Sequence, residues 1–233
     1  MAPTRLAQRP QLSEEVADHV RTRIMSGEVR PGDFIRLDET AAALGVSVTP
    51  VREALLTLRG EGLVDLVPRR GYLVSPMSRQ DVEDIFWLQA ELSKRIVDRA
   101  ITLFDADALD NHARLVGEFE SAAAMGDADG VVSAQYAIHR SINRASRSDK
   151  LSRFLANAAR YMPCRLYAED HDWRSAALQD NRRMLDALRT GDVETAHAVI
   201  DAEFSNGARL LVEHLERAGV WDESRGPEDP AGD

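Results

Sequence analysis

The segment that most restricts how this chain can fold is residues 12–74, where helical and β-rich patterns alternate in a fixed order. Gly45 separates a short predicted helix over 38–44 from a longer one over 49–60. Before them, apolar residues recur every four positions and predict a first helix that stops at Gly27. These apolar residues are Leu12, Val16, Val20 and Ile24.

Two short β-rich runs, 63–67 and 72–74, follow the third predicted helix. They flank Pro68-Arg69-Arg70-Gly71, a composition typical of a hairpin tip. Helix, turn, helix and then a two-stranded hairpin is the layout of a winged helix-turn-helix, in which a helix enters the DNA major groove and a loop reaches the backbone beside it.

The helix predicted from Thr49 has the two faces that such a reading helix needs. Thr49 suits the N-cap and Pro50 the first helical position. At 100° per residue, one side is apolar and the other polar, although Leu56 falls among the polar residues. The apolar side groups Val51, Ala54, Leu55 and Leu58, and the polar side groups Thr49, Arg52 and Arg59.

Several residues in this region have the chemistry of DNA contacts. Arg52, in the first helical turn, suits a bidentate contact to guanine or a phosphate clamp, and its alternative is a surface ion pair with Glu53. Short hydroxyls at the helix start suit phosphates, and arginines at the hairpin tip suit wing contacts. The predicted DNA-binding residues are Ser47, Val48, Thr49, Pro50, Arg52, Arg69, Arg70 and Gly71.

After Pro76 the pattern becomes helical throughout. The sequence predicts a mainly α fold, in which an N-terminal winged helix-turn-helix precedes an all-α bundle of six helices. The predicted helices are 79–103, 106–125, 128–145, 148–169, 174–190 and 193–218. The predicted divisions are a flexible arm over 1–9, a DNA-binding domain over 10–76, a helical domain over 77–218 and a disordered tail over 219–233.

Charge is distributed unevenly along the chain. The net charge of −10 lies in residues 77–233, because 10 arginines in residues 1–76 balance 10 acidic residues. Only the first part is therefore suited to face phosphate. A single cysteine, Cys164, excludes an internal disulfide. With no apolar run of about 18–20 residues and no secretory signal, we expect a cytoplasmic protein without a membrane partner.

The predicted DNA-binding segment contains Arg30-Pro-Gly-Asp-Phe-Ile-Arg-Leu-Asp-Glu39, Leu44-Gly-Val-Ser-Val-Thr-Pro-Val-Arg-Glu-Ala-Leu55 and the wing sequence Pro68-Arg-Arg-Gly-Tyr-Leu-Val74. In these three stretches it resembles the GntR family of bacterial regulators. Val48 departs from the pattern, since many members carry Arg there, and one expected DNA contact is lost.

The helical remainder contains Asp81-Val-x-Asp-Ile-Phe86, Ile138-His-Arg-x-Ile-Asn143 and Leu185-Asp-Ala-Leu-Arg-x-Gly-Asp192. In these segments it is similar to the FCD branch of that family. The similarity implies a homodimer that binds a small-molecule effector, with a carboxylate as one candidate. The implied protein is a metabolite-responsive repressor on a near-palindromic operator.

The resemblance also implies where an effector or a metal would bind. Many FCD domains hold a divalent metal, and the corresponding positions here are Gln135, His139, Asn181 and Glu203. One imidazole, two amides and one carboxylate form a poor transition-metal set, so we expect no cofactor and no tight metal. Gln89, Tyr136, Tyr161, Arg165 and Trp173 are further candidates to orient a ligand.

Two interpretations of these polar positions stay open. Gln135, His139, Asn181 and Glu203 line an effector cavity, or they satisfy one another in a closed polar core and the chain is a ligand-independent DNA-binding dimer. A third hypothesis, a helical-bundle enzyme with His139 as base and Glu203 as acid, has no supporting catalytic motif, and we expect no enzyme activity.

Overall fold

The computed structural model describes residues 10–222, and these form ten helices and three strands. The chain divides into two compact units, one containing residues up to Ser78 together with those from His214, the other Arg79–Glu213. The predictions for residues 1–9 and 223–233 lie outside the described residues.

The first unit contains the predicted helix-turn-helix. Its helices are α1 (Pro10–Met25), α2 (Leu37–Leu44) and α3 (Val48–Gly60). The predicted inner face of α3 is confirmed, because Val51, Ala54, Leu55 and Leu58 are fully buried. The prediction of Thr49 as N-cap is wrong: α3 begins at Val48, two residues before the predicted first helical position Pro50, and Ser47, in an extended conformation, takes the N-cap position.

The wing is a sheet of three strands, one more than the sequence predicts. β1 (Phe34–Ile35), β2 (Val64–Val67) and β3 (Gly71–Val74) pair antiparallel in the order β1-β3-β2. β1 escapes prediction because two residues are too few for an alternating pattern. Gly71 has φ 112°, and a Cβ there would lie 3.0 Å from the Ile35 carbonyl oxygen, so only glycine lets β1 approach.

A buried ion pair fixes α1 against the end of α3. Arg21, only 3% exposed, donates from Nε and Nη2 to the two carboxylate oxygens of Glu61, each at 2.8 Å. Asp18 accepts a further hydrogen bond from Nη1. Burial alone would lower the pKa of Arg21, but the two carboxylates raise it above its ordinary value. The two parallel hydrogen bonds from the guanidinium to the Glu61 carboxylate therefore fix the angle between α1 and α3.

The helical unit contains seven helices over the described residues 79–217, where the sequence predicts six. They are α4 (Arg79–Ala100), α5 (Ala106–Met125), α6 (Ala128–Ala145), α7 (Asp149–Ala159), α8 (Cys164–Glu169), α9 (His171–Thr190) and α10 (Val193–Arg217). The single helix predicted over 148–169 is wrong. Pro163 forms the break between α7 and α8, because proline disfavours a helical conformation in the residue before it.

The predicted boundaries at paired Gly-Asp sequences are confirmed. Gly126 and Gly191 end α5 and α9 in the left-handed conformation, with φ of 69° and 70°. Asp127 then caps α6 by accepting a hydrogen bond from the Gly130 N–H. Asp192 accepts one from the Thr195 N–H in the same way. Local backbone chemistry thus sets these ends.

The C-terminal turn of α10 belongs to the first unit, although the sequence assigns residues up to 218 to the helical domain. His214 Nε2 lies 2.8 Å from the Ser26 carbonyl oxygen, and Ala218 and Val220 flank Gly27. Trp221 Nε1 donates to the Met77 carbonyl oxygen at 2.6 Å. No sequence pattern predicts these contacts, because they join residues far apart in the chain.

Among residues 10–222, no single helix is both long enough and apolar enough to cross a bilayer. The pair α2 and α3 together reaches that length and composition, but it is bent by 116°.

Candidate functional site

The exposed side of α3, here called the reading face, carries Thr49, Arg52 and Arg59. The Arg52 side chain is exposed and makes no hydrogen bond or ion pair with any residue between 10 and 222. The alternative pair with Glu53 is therefore not formed. Leu56, the exception in the helical pattern, is 45% exposed on this face. The reading face thus presents two exposed guanidinium groups without a partner among residues 10–222, Arg52 near the start of α3 and Arg59 near its end, with an apolar group between them.

The start of α3 leaves backbone donors open. The Ser47 side chain is exposed and caps no backbone N–H. Thr49 is also exposed, Val48 and Pro50 are half-buried, and Pro50 has no N–H. A helix N-terminus with unused N–H groups and hydroxyls attracts a phosphate through hydrogen bonds and the helix dipole.

The two wing arginines differ in their surroundings. Arg69 has φ 68° at the third position of the turn closed by the Arg70 N–H and the Val67 carbonyl oxygen. The guanidinium of Arg70 lies over the Phe34 ring, 4.7 Å from its centroid. This cation–π contact restricts the side chain of Arg70 while leaving it exposed.

In the helical unit, four polar side chains from three helices meet, and we call them the polar cluster: Gln135 and His139 of α6, Asn181 of α9 and Glu203 of α10. Glu203 Oε1 accepts a hydrogen bond from Gln135 Nε2 at 2.9 Å and lies 3.1 Å from His139 Nε2. Gln135 Nε2 and His139 Nε2 are themselves 3.0 Å apart, and the direction of any hydrogen bond between them depends on the tautomer of His139. Asn181 Nδ2 donates to Gln135 Oε1 at 2.8 Å.

The charges of the polar cluster are coupled. Burial alone would raise the pKa of Glu203, but the charge of His139 and the hydrogen bonds from His139 and Gln135 lower it. Burial would lower the pKa of His139, but Glu203 raises it. The side chains are 37% exposed for His139 and 18% for Glu203, so water screens part of this interaction. The geometry favours a carboxylate facing an imidazolium.

A second histidine of the helical unit, His112 of α5, is fully buried. Its Nδ1 lies 2.6 Å from Ser141 Oγ, which donates to the Ile138 carbonyl oxygen, so Nδ1 carries the proton. Burial, and then the charge of His139, lowers the pKa of His112 to about 4. The spacing of His112 in the sequence does not decide whether it lies on the surface or in the core.

The other candidate ligand residues do not converge on the polar cluster. Trp173 packs against Phe119 and Tyr167, and Arg165 forms exposed ion pairs with two carboxylates. Tyr136 is 66% exposed and Tyr161 half-buried. Gln89 is fully buried on α4.

A cavity of about 30 Å³ lies beside the polar cluster and is lined by His139, Asn181 and Glu203 together with Ser93 and mostly apolar residues. The donor set does not fit a transition metal. It offers one imidazole, whose Nε2 faces the Glu203 carboxylate as a donor, and two amides. Residues 10–222 contain no group of three His, Cys, Asp or Glu side chains arranged to hold a metal.

Family models match both parts of the chain. The model described as bacterial regulatory proteins, gntR family, matches residues 12–74, and that of the FCD domain matches residues 84–206. Together they cover the helix-turn-helix with its wing and most of the helical unit.

Curated relatives match over most of their length. The chain is 25% identical over 203 residues to the helix-turn-helix transcriptional regulator YdhC of Bacillus subtilis, covering 85% of this chain and 90% of the relative. It is 30% identical over 197 residues to a probable D-xylose utilization operon transcriptional repressor of Paenarthrobacter nicotinovorans, covering 82% and 85%.

Solved structures share the fold. Escherichia coli McbR/YncC superposes with a TM-score of 0.68 at 20% identity, covering 87% of this chain and 97% of that one. A regulator from Rhodococcus superposes with a TM-score of 0.62 at 21% identity, covering 87% and 98%. Both family models, together with the exposed arginines of the reading face and the wing, show that the chain belongs to the GntR family, in its FCD branch, and is a DNA-binding transcriptional regulator.

Proposed function

We propose that this regulator is a metabolite-responsive repressor that binds a near-palindromic operator as a homodimer. The observation that carries the proposal is Arg52, which is exposed on the reading face next to an open helix N-terminus and pairs with no residue between 10 and 222. A guanidinium in this position suits bidentate contact with guanine in the major groove. Ser47, Thr49, Arg69 and Arg70 then suit phosphate contacts that position the reading face.

The small size of one winged domain favours dimerisation. One winged domain offers few base contacts, and linking two half-sites multiplies affinity through effective concentration. The helical unit also exposes large apolar side chains on α4, with Trp87 63% and Leu88 45% exposed, and a second copy would cover them. Two winged domains whose reading faces lie about one helical turn of DNA apart require a near-palindromic site.

The polar cluster supports an effector site and also a closed core. Polar groups from three helices gather in a helical unit whose core is mainly apolar, and this is where an FCD domain takes its effector. Yet the four side chains bond to one another, and 30 Å³ is far below the roughly 300–1,000 Å³ of usual ligand pockets. The second candidate function is therefore a ligand-independent DNA-binding dimer.

Repression is supported by the Paenarthrobacter relative, which is named a repressor. No catalytic role is proposed for His139 and Glu203, because no catalytic motif in the sequence accompanies them. We propose a cytoplasmic location, in keeping with a regulator that reaches DNA, and a protein without a tightly held metal. Zinc or nickel added to metal-stripped protein is expected to leave the melting temperature unchanged.

The DNA-binding proposal is tested by selecting an operator from random duplexes and footprinting it with Arg52→Ala. We expect the variant to lose specific binding by at least about 100-fold, because a bidentate base contact is lost at both half-sites. Arg189→Ala, on the exposed surface of α9, is the control and should bind normally. A normal footprint by Arg52→Ala would refute the assignment of the reading face.

The dimer and the effector need separate readouts. Sedimentation at operator-binding concentrations should give a dimer, and a monomer would contradict the proposal. A screen of metabolites for release of the operator should find at least one active compound. If none acts and the polar cluster stays essential for stability alone, the ligand-independent dimer is the better description.

A further inference from the structure

The cavity beside the polar cluster has a definite chemical character. Apart from the polar cluster and Ser93, its polar lining comprises Asn143 alone, and neither Lys nor Arg lines it among the described residues. The protonatable His139 directs Nε2 at Glu203. An anion entering this cavity would therefore find no unpaired cation and would face a carboxylate.

Three hydrogen-bond acceptors around the cavity lack donors. Glu203 uses Oε1 for both of its hydrogen bonds, and Oε2 has no hydrogen bond from any residue between 10 and 222. Asn181, only 6% exposed, donates through Nδ2 while its Oδ1 receives no hydrogen bond from the described residues. Ser93 Oγ is buried without a partner in the same part of the chain. Of the three, only Ser93 Oγ is a fully buried atom within the described residues. A buried polar atom without a partner is uncommon and indicates a missing one.

The charged groups near the cavity balance in pairs. Glu203 lies 3.1 Å from His139, and Asp180, next to Asn181, pairs with Arg183 at 3.4 Å. The unfilled acceptors, and not an excess of negative charge, therefore define the ligand.

We propose that this cavity binds the ammonium group of a small primary amine, and that the effector is an amine and not a carboxylate. The inference rests on the proposed effector response and names its ligand class. An ammonium group has three N–H donors, which match Glu203 Oε2, Asn181 Oδ1 and Ser93 Oγ in number. The apolar walls, which include Ile96, Ile138 and Val199, suit the carbon attached to it. A cavity of 30 Å³ has room for about two water-sized groups.

Methylammonium, with two heavy atoms, is therefore the direct probe. Full-length protein is melted in 100 mM methylammonium chloride, with sodium formate, methanol and sodium chloride in parallel. For two heavy atoms, a Kd on the order of 10 mM is near the limit. At that Kd we expect methylammonium to raise the melting temperature by about 3 °C over sodium chloride. Formate should give no rise.

Variants locate the binding. Glu203→Gln keeps the side-chain shape, removes the charge and should abolish the rise. Ser93→Ala removes one acceptor at little structural cost and should weaken binding about threefold to tenfold. Glu213→Gln, also on α10 and in an exposed pair with Arg209, is the matched control and should keep the full rise. In NMR spectra, the Asn181 side-chain amide should shift with methylammonium and not with formate.

Three results would overturn the inference, and they are distinguishable. A rise with formate that depends on Glu203 or Asn181 would keep the effector site but give it an anionic ligand. A methylammonium rise unchanged by Glu203→Gln and Ser93→Ala would place binding elsewhere. No rise with either ion would refute an ammonium site in this cavity, whereas the screen of metabolites for operator release decides the effector part of the proposed function separately. Operator binding in the same samples tests the DNA-binding part independently.

Discussion

The reading face of α3 and the polar cluster of the helical unit use polar side chains in opposite ways. On the reading face, Arg52 is exposed and pairs with none of the described residues. In the polar cluster, Glu203 and Gln135 are largely buried and bonded to their neighbours. A charge left in water costs the fold little and stays available, whereas a buried polar group must find a partner.

The same contrast exists among the arginines of the first unit alone. Arg21 is buried and bound by two carboxylates, and it positions α1 against α3. Arg52, on the exposed face of α3, has no such partner. One arginine thus belongs to the scaffold and the other to the proposed interface, although the sequence shows both simply as helical arginines. Four predictions can break or sharpen this comparison.

The largest expected effect is on the scaffold arginine. Glu61→Ala leaves the Arg21 guanidinium buried with only Asp18, and a broken buried pair costs about 3–5 kcal/mol in the free energy of unfolding. Urea denaturation followed by circular dichroism measures it. Arg36→Ala breaks the exposed pair with Glu39 and should cost less than about 1 kcal/mol. Equal effects of the two substitutions would contradict the assigned role of Arg21.

The second effect is a pH dependence caused by His112. Its pKa is about 4 in the folded chain and 6.5 ordinarily, so between these values the unfolded chain binds a proton that the folded chain does not. Stability should therefore fall by about 3 kcal/mol as the pH drops from 6.5 to 4. His112→Asn keeps an N–H for Ser141 but cannot titrate, and its stability should fall less over this range. Parallel pH curves for the two proteins would show that His112 does not titrate this way.

Much of the fold is predictable because local chemistry determines it. The period of α3 places Val51 and Leu58 in the core, and Gly126-Asp127 marks a helix boundary by backbone geometry alone. Pro163 also acts locally, but the helical period on either side of it conceals the break. The features that escape prediction depend on distant residues. Arg21 and Glu61 are separated by 40 positions, and β1 is a strand only because β3 pairs with it.

The two candidate sites also differ in whether local sequence or contacts between distant residues determine them. The position of Arg52 on an exposed helical face follows from spacing within one helix. The members of the polar cluster follow from the family resemblance, and the sequence leaves open whether they line a cavity or bond to one another. That question depends on distances between α6, α9 and α10, such as the 2.8 Å from Asn181 Nδ2 to Gln135 Oε1, which no single-helix pattern contains.

The third prediction concerns the polar cluster. Asn181→Leu keeps the volume but leaves Gln135 Oε1 buried without its donor, which should cost about 1–3 kcal/mol in the free energy of unfolding. In a double-mutant cycle with Gln135→Leu, the two changes should be coupled by at least about 0.5 kcal/mol. Asn157→Leu, on the exposed side of α7, should stay within about 0.5 kcal/mol of the parent protein. Additive changes at positions 135 and 181 would mean that the hydrogen bond contributes nothing.

The smallest effect is expected at the wing, where it separates positioning from base recognition. Arg70→Ala removes a cation that Phe34 holds over its ring, so operator and non-operator DNA should both be bound about threefold to tenfold more weakly. The slope of log affinity against log salt should fall by about one for each subunit. Phe34→Leu keeps the charge but frees the side chain, and it should weaken binding less while leaving the slope unchanged. If Arg70→Ala instead alters which operator bases are preferred, the wing reads sequence, and the division of labour between Arg52 and Arg70 is wrong.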